Sequence, residues 1–183
     1  MVYTTYQLYR NDKLAALKAD TKMAQKDKFK IGAKLVRGAY MEKERLRAQE
    51  LGYPSPIHVD KAATDADYDA ALAFSLEHID CIAFVAGTHN ERSCKLLTEL
   101  LKAEKIEAQH QHVFFSQLLG MSDNLSFNLA NAGYNVAKYV PYGPVKSVLP
   151  YLFRRADENT SIAGQMGREL GLIIKERTRR KLA

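Results

Sequence analysis

Apolar positions along the chain switch between two spacings. Short runs of β-branched and apolar residues read as buried strands, and the stretches between them carry apolar residues at three- and four-residue steps, as on helices. From Thr5 to Lys28, Leu8, Leu14, Leu17, Met23 and Ala24 fall roughly on one face, which predicts a helix. A strand is predicted over Ile31–Ala39, then a charged helix over Met41–Leu51 that Gly52-Tyr53-Pro54-Ser55-Pro56 breaks. A helix from about Ala62 to His78 leads into a strand over Cys81–Ala86, and Asn90 is placed to cap the next helix with its side-chain oxygen. His112–Leu118 is the third predicted strand, a helix follows near Ser122–Ala132, and Val136–Pro141 is the fourth strand. Pro144 suits the first turn of a helix, where its missing N–H costs nothing. That helix runs to about Glu158, and a last one covers Ser161 to about Arg180.

Four strands alternating with helices predict an α/β fold with parallel pairing and right-handed crossovers. A closed barrel of eight such units takes about 250 residues, whereas this chain has 183 and is expected to be one domain. None of its ten glycines forms a GxGxxG or GxxxxGK[ST], the phosphate loop that an open doubly wound sheet usually shows. Two architectures remain, a plain open sheet or half of a barrel. Cut from a barrel, the sheet would have raw edges at Ile31–Ala39 and Val136–Pro141. Its concave face would carry Val36, Phe84, Val113 and Phe115 or their alternates.

Composition narrows the partners. An apolar content of 46% fits a globular protein. No run reaches the roughly 20 apolar residues of a membrane span, and nothing near Met1 reads as a signal peptide, so a cytoplasmic setting is expected. Cys81 and Cys94 form no CxxC and read as reduced structural thiols; His110 and His112 lack a third ligand, so no metal is expected. Of the net charge of +6, the segment Arg168–Lys181 supplies six basic and two acidic residues. The body is therefore nearly balanced, and a nucleic-acid surface is not indicated.

Three predicted strands end in polar clusters: Gly38-Ala39-Tyr40, Gly87-Thr88-His89-Asn90, and Lys138-Tyr139. The other ends in Ser116-Gln117-Leu118-Leu119-Gly120, read as a mostly apolar wall. Gathered on one rim, these ends would form a pocket with few polar anchors. Gly38-Ala39 offers bare backbone to a cofactor, or is simply a bend needed for helix packing. Arg154-Arg155 can converge on one carboxylate or phosphate, or Arg154 can pair with Glu158 on the helix surface. His89 alone reads as a hydrogen-bonded histidine at a strand end. With no Ser-His-Asp spacing and no paired carboxylates, cofactor-borne chemistry is expected.

Five motifs now carry a resemblance. Lys34-Leu-Val-Arg-Gly-Ala-Tyr40, Thr88-His89-Asn90, Gln117-Leu-Leu-Gly-Met121, Lys138-Tyr-Val-Pro-Tyr-Gly143 and Tyr151-Leu-Phe-Arg-Arg-Ala-Asp-Glu-Asn159 resemble, in order, the proline dehydrogenase family. The resemblance runs from Gln7 to about Ser161 and is to the C-terminal half of monofunctional members. It implies a distorted (β/α)8 TIM-like barrel, FAD, and oxidation of L-proline to 1-pyrroline-5-carboxylate with quinone as electron acceptor. By the same resemblance Lys34 faces the redox end of the flavin. Val36, Arg37, Gly38, Ala39, Thr88, His89 and Asn90 lie at flavin-contacting strand ends. Gln7 meets the isoalloxazine, and Lys61 lies near the phosphates. Tyr40, Leu118 and Tyr139 resemble pocket walls, Arg154 and Arg155 the pair that holds the substrate carboxylate, and Glu158 stands beside them. Many bifunctional relatives carry Arg at the Lys34 position and Trp at that of Met41. The family's substrate-facing lysine and acidic residues on earlier strands have no counterpart in this sequence.

That absence leaves two other classes open: a catalytically incomplete half-barrel that pairs with a complementary N-terminal half or self-associates, and a plain α/β binding protein. In the last helix Ile162, Met166, Leu170 and Ile173 form an apolar stripe opposite Arg168, Lys175, Arg177, Arg179, Arg180 and Lys181. Such a helix suits peripheral contact with the inner membrane, where the family delivers electrons to quinone, or is an ordinary solvated last helix.

Overall fold

A computed structural model describes residues 2–161 and 163–181, and the side chains of all of these except 154–169. The elements are β1 (Tyr3–Gln7), α1 (Lys13–Asp27), β2 (Ile31–Val36), α2 (Met41–Leu51), α3 (Lys61–Glu77), β3 (Ile82–Gly87), α4 (Glu91–Ala103), β4 (Val113–Leu118), α5 (Asp123–Asn131), β5 (Val136–Tyr139), α6 (Val145–Ser161) and α7 (Ala163–Lys181). The five strands pair in parallel in the order β1-β2-β3-β4-β5.

The predicted helix over Thr5–Lys28 is two elements. Tyr3-Thr4-Thr5-Tyr6 is rich in aromatic and β-branched residues, which suit a pleated surface better than a helix. It pairs with β2 from Tyr3 opposite Gly32 to Gln7 opposite Val36. Leu8 and Tyr9 extend the pairing, their N–H groups donating to Val36 and Arg37 carbonyls at 2.8 and 2.7 Å. The helix proper starts at Lys13 and buries Leu17, Thr21 and Ala24, leaving Met23 exposed. The sheet edges are therefore β1 and β5, and β2 is an interior strand.

One face of the sheet packs against the helices. Leu35, Ile82, Phe84, Ala86, Val113 and Phe115 lie there, buried with Leu17, Leu72 and Leu97. Of the two phases left open for the concave face, Val36 lies there as named, while Phe84, Val113 and Phe115 give way to their alternates. A shift of one residue moves every side chain to the other face. The concave rows are Thr5–Lys34–Val85–Phe114 and Gln7–Val36, then Gly87–Ser116–Ala137 and Leu118–Tyr139.

Local signals hold where they are local. Asn90 Oδ1 accepts from the Ser93 N–H at 3.2 Å, so the predicted cap forms. Asp60 does the same for α3 through the Ala63 N–H at 2.7 Å. Cys81 and Cys94 are buried free thiols. Burial pushes the Cys94 thiol up to about 12, which makes it unreactive.

Candidate cofactor and substrate site

In a parallel sheet all strands end on the same rim. Here that rim gathers Gln7, Val36-Arg37-Gly38, Gly87-Thr88-His89, Leu118 and Tyr139. Along the concave face the sheet is bent enough for β2 to meet β5. Lys34 Nζ stands 5.0 Å from the centre of the Tyr139 ring although two strands lie between them. Gly87 permits the close fit beside Lys34, since a Cβ there would meet Val36 Cγ1 at 3.0 Å and the Leu35 carbonyl at 3.1 Å.

Gly38 has a specific structural reason. Its φ is +131°, and a Cβ would fall 1.8 Å from Cδ1 of the Tyr9 ring. What Gly38 makes room for is Tyr9, just past the end of β1, and not a helix as the packing alternative had it. Tyr9 is itself held by its N–H on the Arg37 carbonyl and by the His58 N–H on its own carbonyl. Tyr40 lies beyond it, with Lys43 Nζ 6.0 Å from its ring centre.

Arg37 is the most heavily partnered group of the rim. Its Nε donates to Asp65 Oδ1 at 2.6 Å, Nη1 to Thr88 Oγ1 at 2.8 Å and Nη2 to Ser93 Oγ at 2.9 Å. The guanidinium also lies 4.3 Å from the centre of the Tyr68 ring. Asp65 pairs through its other oxygen with Lys61. Partial burial raises the Asp65 carboxyl, but the hydrogen bonds from Lys61 and Arg37 outweigh it and hold the group below the ordinary range.

Thr88 is fixed from below. Its Oγ1 also accepts the Asn90 N–H at 3.0 Å, and its carbonyl accepts from Gln117 Nε2 at 3.0 Å. Ser126 Oγ donates to Gln117 Oε1 at 2.9 Å. The segment read as an apolar wall thus contains a buried polar strut on its helix-facing side. His89 Nδ1 lies 3.0 Å from Ser122 Oγ, in agreement with a hydrogen-bonded strand-end histidine.

At the other end, Leu118 stands opposite Tyr139. The Tyr139 ring lies 5.9 Å from that of Tyr151 on α6. Lys138 points away from this face and ties the β4–α5 turn through the Met121 carbonyl at 2.8 Å and Asp123 at 2.7 Å. Arg154, Arg155 and Glu158 belong to α6, and their side chains lie outside the described residues.

Sequence reasoning missed Asp65, Ser93 and Tyr68, and it read Gln117 as part of an apolar wall. Only Asp65 had a readable signal, four residues after Lys61 on one helix face. Among the described residues no group of three His, Cys, Asp or Glu could hold a metal. The donor set suits an anionic cofactor: Arg37, bonded to Ser93 in the first turn of α4, and Lys61, on the same Asp65 carboxylate, are two cations close together at the rim.

Fold and rim together define a parallel α/β protein with its polar groups gathered at the strand C-termini, the face on which barrels carry their sites. The chain belongs to the proline dehydrogenase family, whose model it matches over residues 1–168. It is 42% identical over 183 residues to proline dehydrogenase 1, mitochondrial, of Homo sapiens, covering 98% of this chain and 30% of that protein. It is 40% identical over 190 residues to the Drosophila melanogaster protein of the same name, covering 98% and 28%. A Xenopus laevis hydroxyproline dehydrogenase is 39% identical over 183 residues, covering 98% and 39%. The crystal structure of proline utilization A from Bdellovibrio bacteriovorus, inactivated by N-propargylglycine, superposes with a TM-score of 0.81. Its identity is 30%, over 87% of this chain and 16% of that one. The parallel α/β sheet accordingly matches the TIM-barrel proline dehydrogenase domain of proline utilization A, with five strands present where four were expected. The chain spans 28–30% of the human and fly relatives.

Proposed function

We propose that this chain supplies the cofactor rim and part of the substrate pocket of an FAD-dependent proline dehydrogenase that makes 1-pyrroline-5-carboxylate. When bound, FAD supplies the two-electron acceptor for the hydride on the ring carbon beside the proline nitrogen, and quinone is the onward acceptor. The observation that carries the proposal is the approach of Lys34 to Tyr139. It brings a residue assigned to the flavin and one assigned to the proline pocket onto the same concave face, 5.0 Å apart.

The chain's own residues bind and orient. Gln7, Lys34 and Val36 lie in adjacent concave positions and would face the flavin ring. A cation at Lys34 favours negative charge developing there. Arg37, Lys61, Thr88, His89 and Asn90 would hold the diphosphate side, with the backbone of Gly38 and Ala39 alongside. Tyr40, Leu118 and Tyr139 would wall the substrate, while Arg154 and Arg155, flanked by Glu158, would hold its carboxylate. Fixing that carboxylate presents one ring carbon to the cofactor, and such orientation is worth several kcal/mol of barrier.

Edge strands β1 and β5 and the exposed Leu119, Val140 and Tyr142 support the accompanying proposal that a complementary N-terminal part, or a second copy, completes the barrel. Among the described residues no helix is long and apolar enough to cross a membrane. The exposed Leu170 and Ile173 and the basic Arg177, Arg179, Arg180 and Lys181 support peripheral contact with a quinone-bearing inner membrane. Ile162 lies outside the described residues, as do the side chains of Met166 and Arg168.

The test is spectroscopic. The purified protein should be yellow and be bleached by L-proline without oxygen, and Arg155→Ala should raise the KM for proline while leaving flavin content unchanged. An unpaired substrate carboxylate costs about 2–5 kcal/mol. A colourless, correctly folded protein that takes up no FAD refutes the proposal.

A further inference from the structure

Asp65 has no part in binding flavin or proline as proposed, yet it touches two of the cations on which that function depends. It lies one helical turn after Lys61 on α3, and its two oxygens divide between them, Oδ1 to Arg37 and Oδ2 to Lys61. Asp65 and Arg37 are three-quarters buried, whereas Lys61 is largely exposed. The same helix grips Arg37 a second time, because Ser93 Oγ accepts from Nη2 and donates to Asp69 Oδ1 at 2.6 Å. Asp65 and Asp69 are themselves one turn apart, so α3 sets the guanidinium against the first turn of α4.

The proton inventory shows what this arrangement leaves available. A guanidinium has five N–H groups. Asp65, Thr88 and Ser93 take one from each nitrogen. One N–H on Nη1 and one on Nη2 are left without a partner among the described residues. With Lys61 tied to the same carboxylate, the two cations are drawn to one point, and the three groups together carry one net positive charge. A purely attractive site would omit the carboxylate, since it weakens the field felt by any anion.

We propose that Asp65 is a positioning residue for the cofactor diphosphate: it sets Arg37 and Lys61 as one preorganised pair, at the expense of local charge. The proposal rests on the reading that Arg37 and Lys61 meet the cofactor. Positioning and simple repulsion predict opposite signs, which makes the question decidable. If Asp65 only repels a dianion, its neutralisation tightens FAD binding; if it positions the cations, neutralisation weakens it.

The measurement is the FAD dissociation constant of the holoprotein and its Asp65→Asn and Asp65→Glu variants, with riboflavin as a ligand lacking the diphosphate. Outer partners that orient a binding group are worth about ten- to a hundredfold, so Asp65→Asn should weaken FAD at least about tenfold and leave riboflavin unchanged. Asp65→Glu keeps the charge but moves it by one methylene, and should fall between wild type and Asp65→Asn. FAD binding that is unchanged or tighter in a folded Asp65→Asn variant overturns the proposal. So does an equal loss for FAD and riboflavin. Should Asp65→Asn fail to fold, Asp65→Glu decides alone, and unchanged FAD affinity there overturns it. A folded wild type that binds no FAD instead refutes the cofactor reading itself.

Discussion

At the ends of β2 and β3, Arg37, Asp65, Thr88 and Ser93 close on one another within hydrogen-bonding distance. At the ends of β4 and β5, Leu118 and Tyr139 stand side by side, while Leu119, Val140 and Tyr142 are exposed, Tyr142 almost wholly at 98%. Both rims belong to one sheet and carry residues of one expected site. They differ in what completes them. The first uses partners from α3 and α4, which pack against each other and against the sheet, so its geometry is set from within the chain. The second exposes large apolar side chains, whose stable state is a covered one. A preorganised polar rim beside an uncovered apolar one is what a sheet should show when its polar anchors are local and its enclosure is not.

The sharpest contrast between the rims is in stability. Phe84, fully buried under the first rim, should cost about 3–5 kcal/mol when changed to Ala. Tyr139→Ala at the half-exposed second rim should change stability by no more than about 1 kcal/mol in the isolated chain. Denaturant unfolding of both variants measures this; comparable losses would break the contrast.

Gly38 should be the least replaceable glycine of the first rim. Gly38→Ala would place a methyl group on the Tyr9 ring at a φ of +131° and should cost about 1–3 kcal/mol. Gly120, on the second rim, has a φ of +76°, and a Cβ there would meet nothing within 4 Å, so Gly120→Ala should cost about 1 kcal/mol. Thermal unfolding of the two variants would show the order, and the reverse order would mean that Tyr9 moves aside freely.

Gln117 links the rims, since it lies on β4 yet bonds to Thr88 beyond β3. Gln117→Leu leaves the Thr88 carbonyl and the Ser126 hydroxyl without this partner, at about 1–3 kcal/mol. If the first rim is as interdependent as its bonds suggest, this variant should also weaken FAD binding, whereas Lys138→Met should not. Equal effects of the two variants on flavin affinity would make the strut dispensable.

The smallest effect is on pH dependence. Because the folded Asp65 carboxyl titrates below its unfolded value, its contribution is complete above that unfolded value of about 3.9. It is lost as the pH falls through the folded value. Asp65→Asn should therefore flatten the acid side of the stability curve below about pH 4 and leave its slope near neutrality unchanged. Parallel acid limbs for wild type and variant would show that Asp65 is not charged against Arg37 in the folded state.

Much of this protein is written in short-range patterns. The places of β2, β3, β4 and α2 to α5 follow from apolar periodicity, from the Gly52 break and from the Asn90 cap, all of which act within a few residues, although β2 stops at Val36 rather than the expected Ala39. The strand-end motifs were legible for the same reason, since each is contiguous. β1 was not, because Leu8 also fits a helical stripe with Leu14 and Leu17, and only the open edge of β2 turns Tyr3–Gln7 into a strand. The phase of the strands was equally out of reach: alternation shows that two faces exist, and the helices decide which face is buried. Most distant of all was the partnership of Arg37, whose three ligands lie 28, 51 and 56 residues away in sequence. Local chemistry marks Arg37 as a cation at a strand end; only the packing of α3 and α4 against the sheet decides what it holds and which protons it still offers.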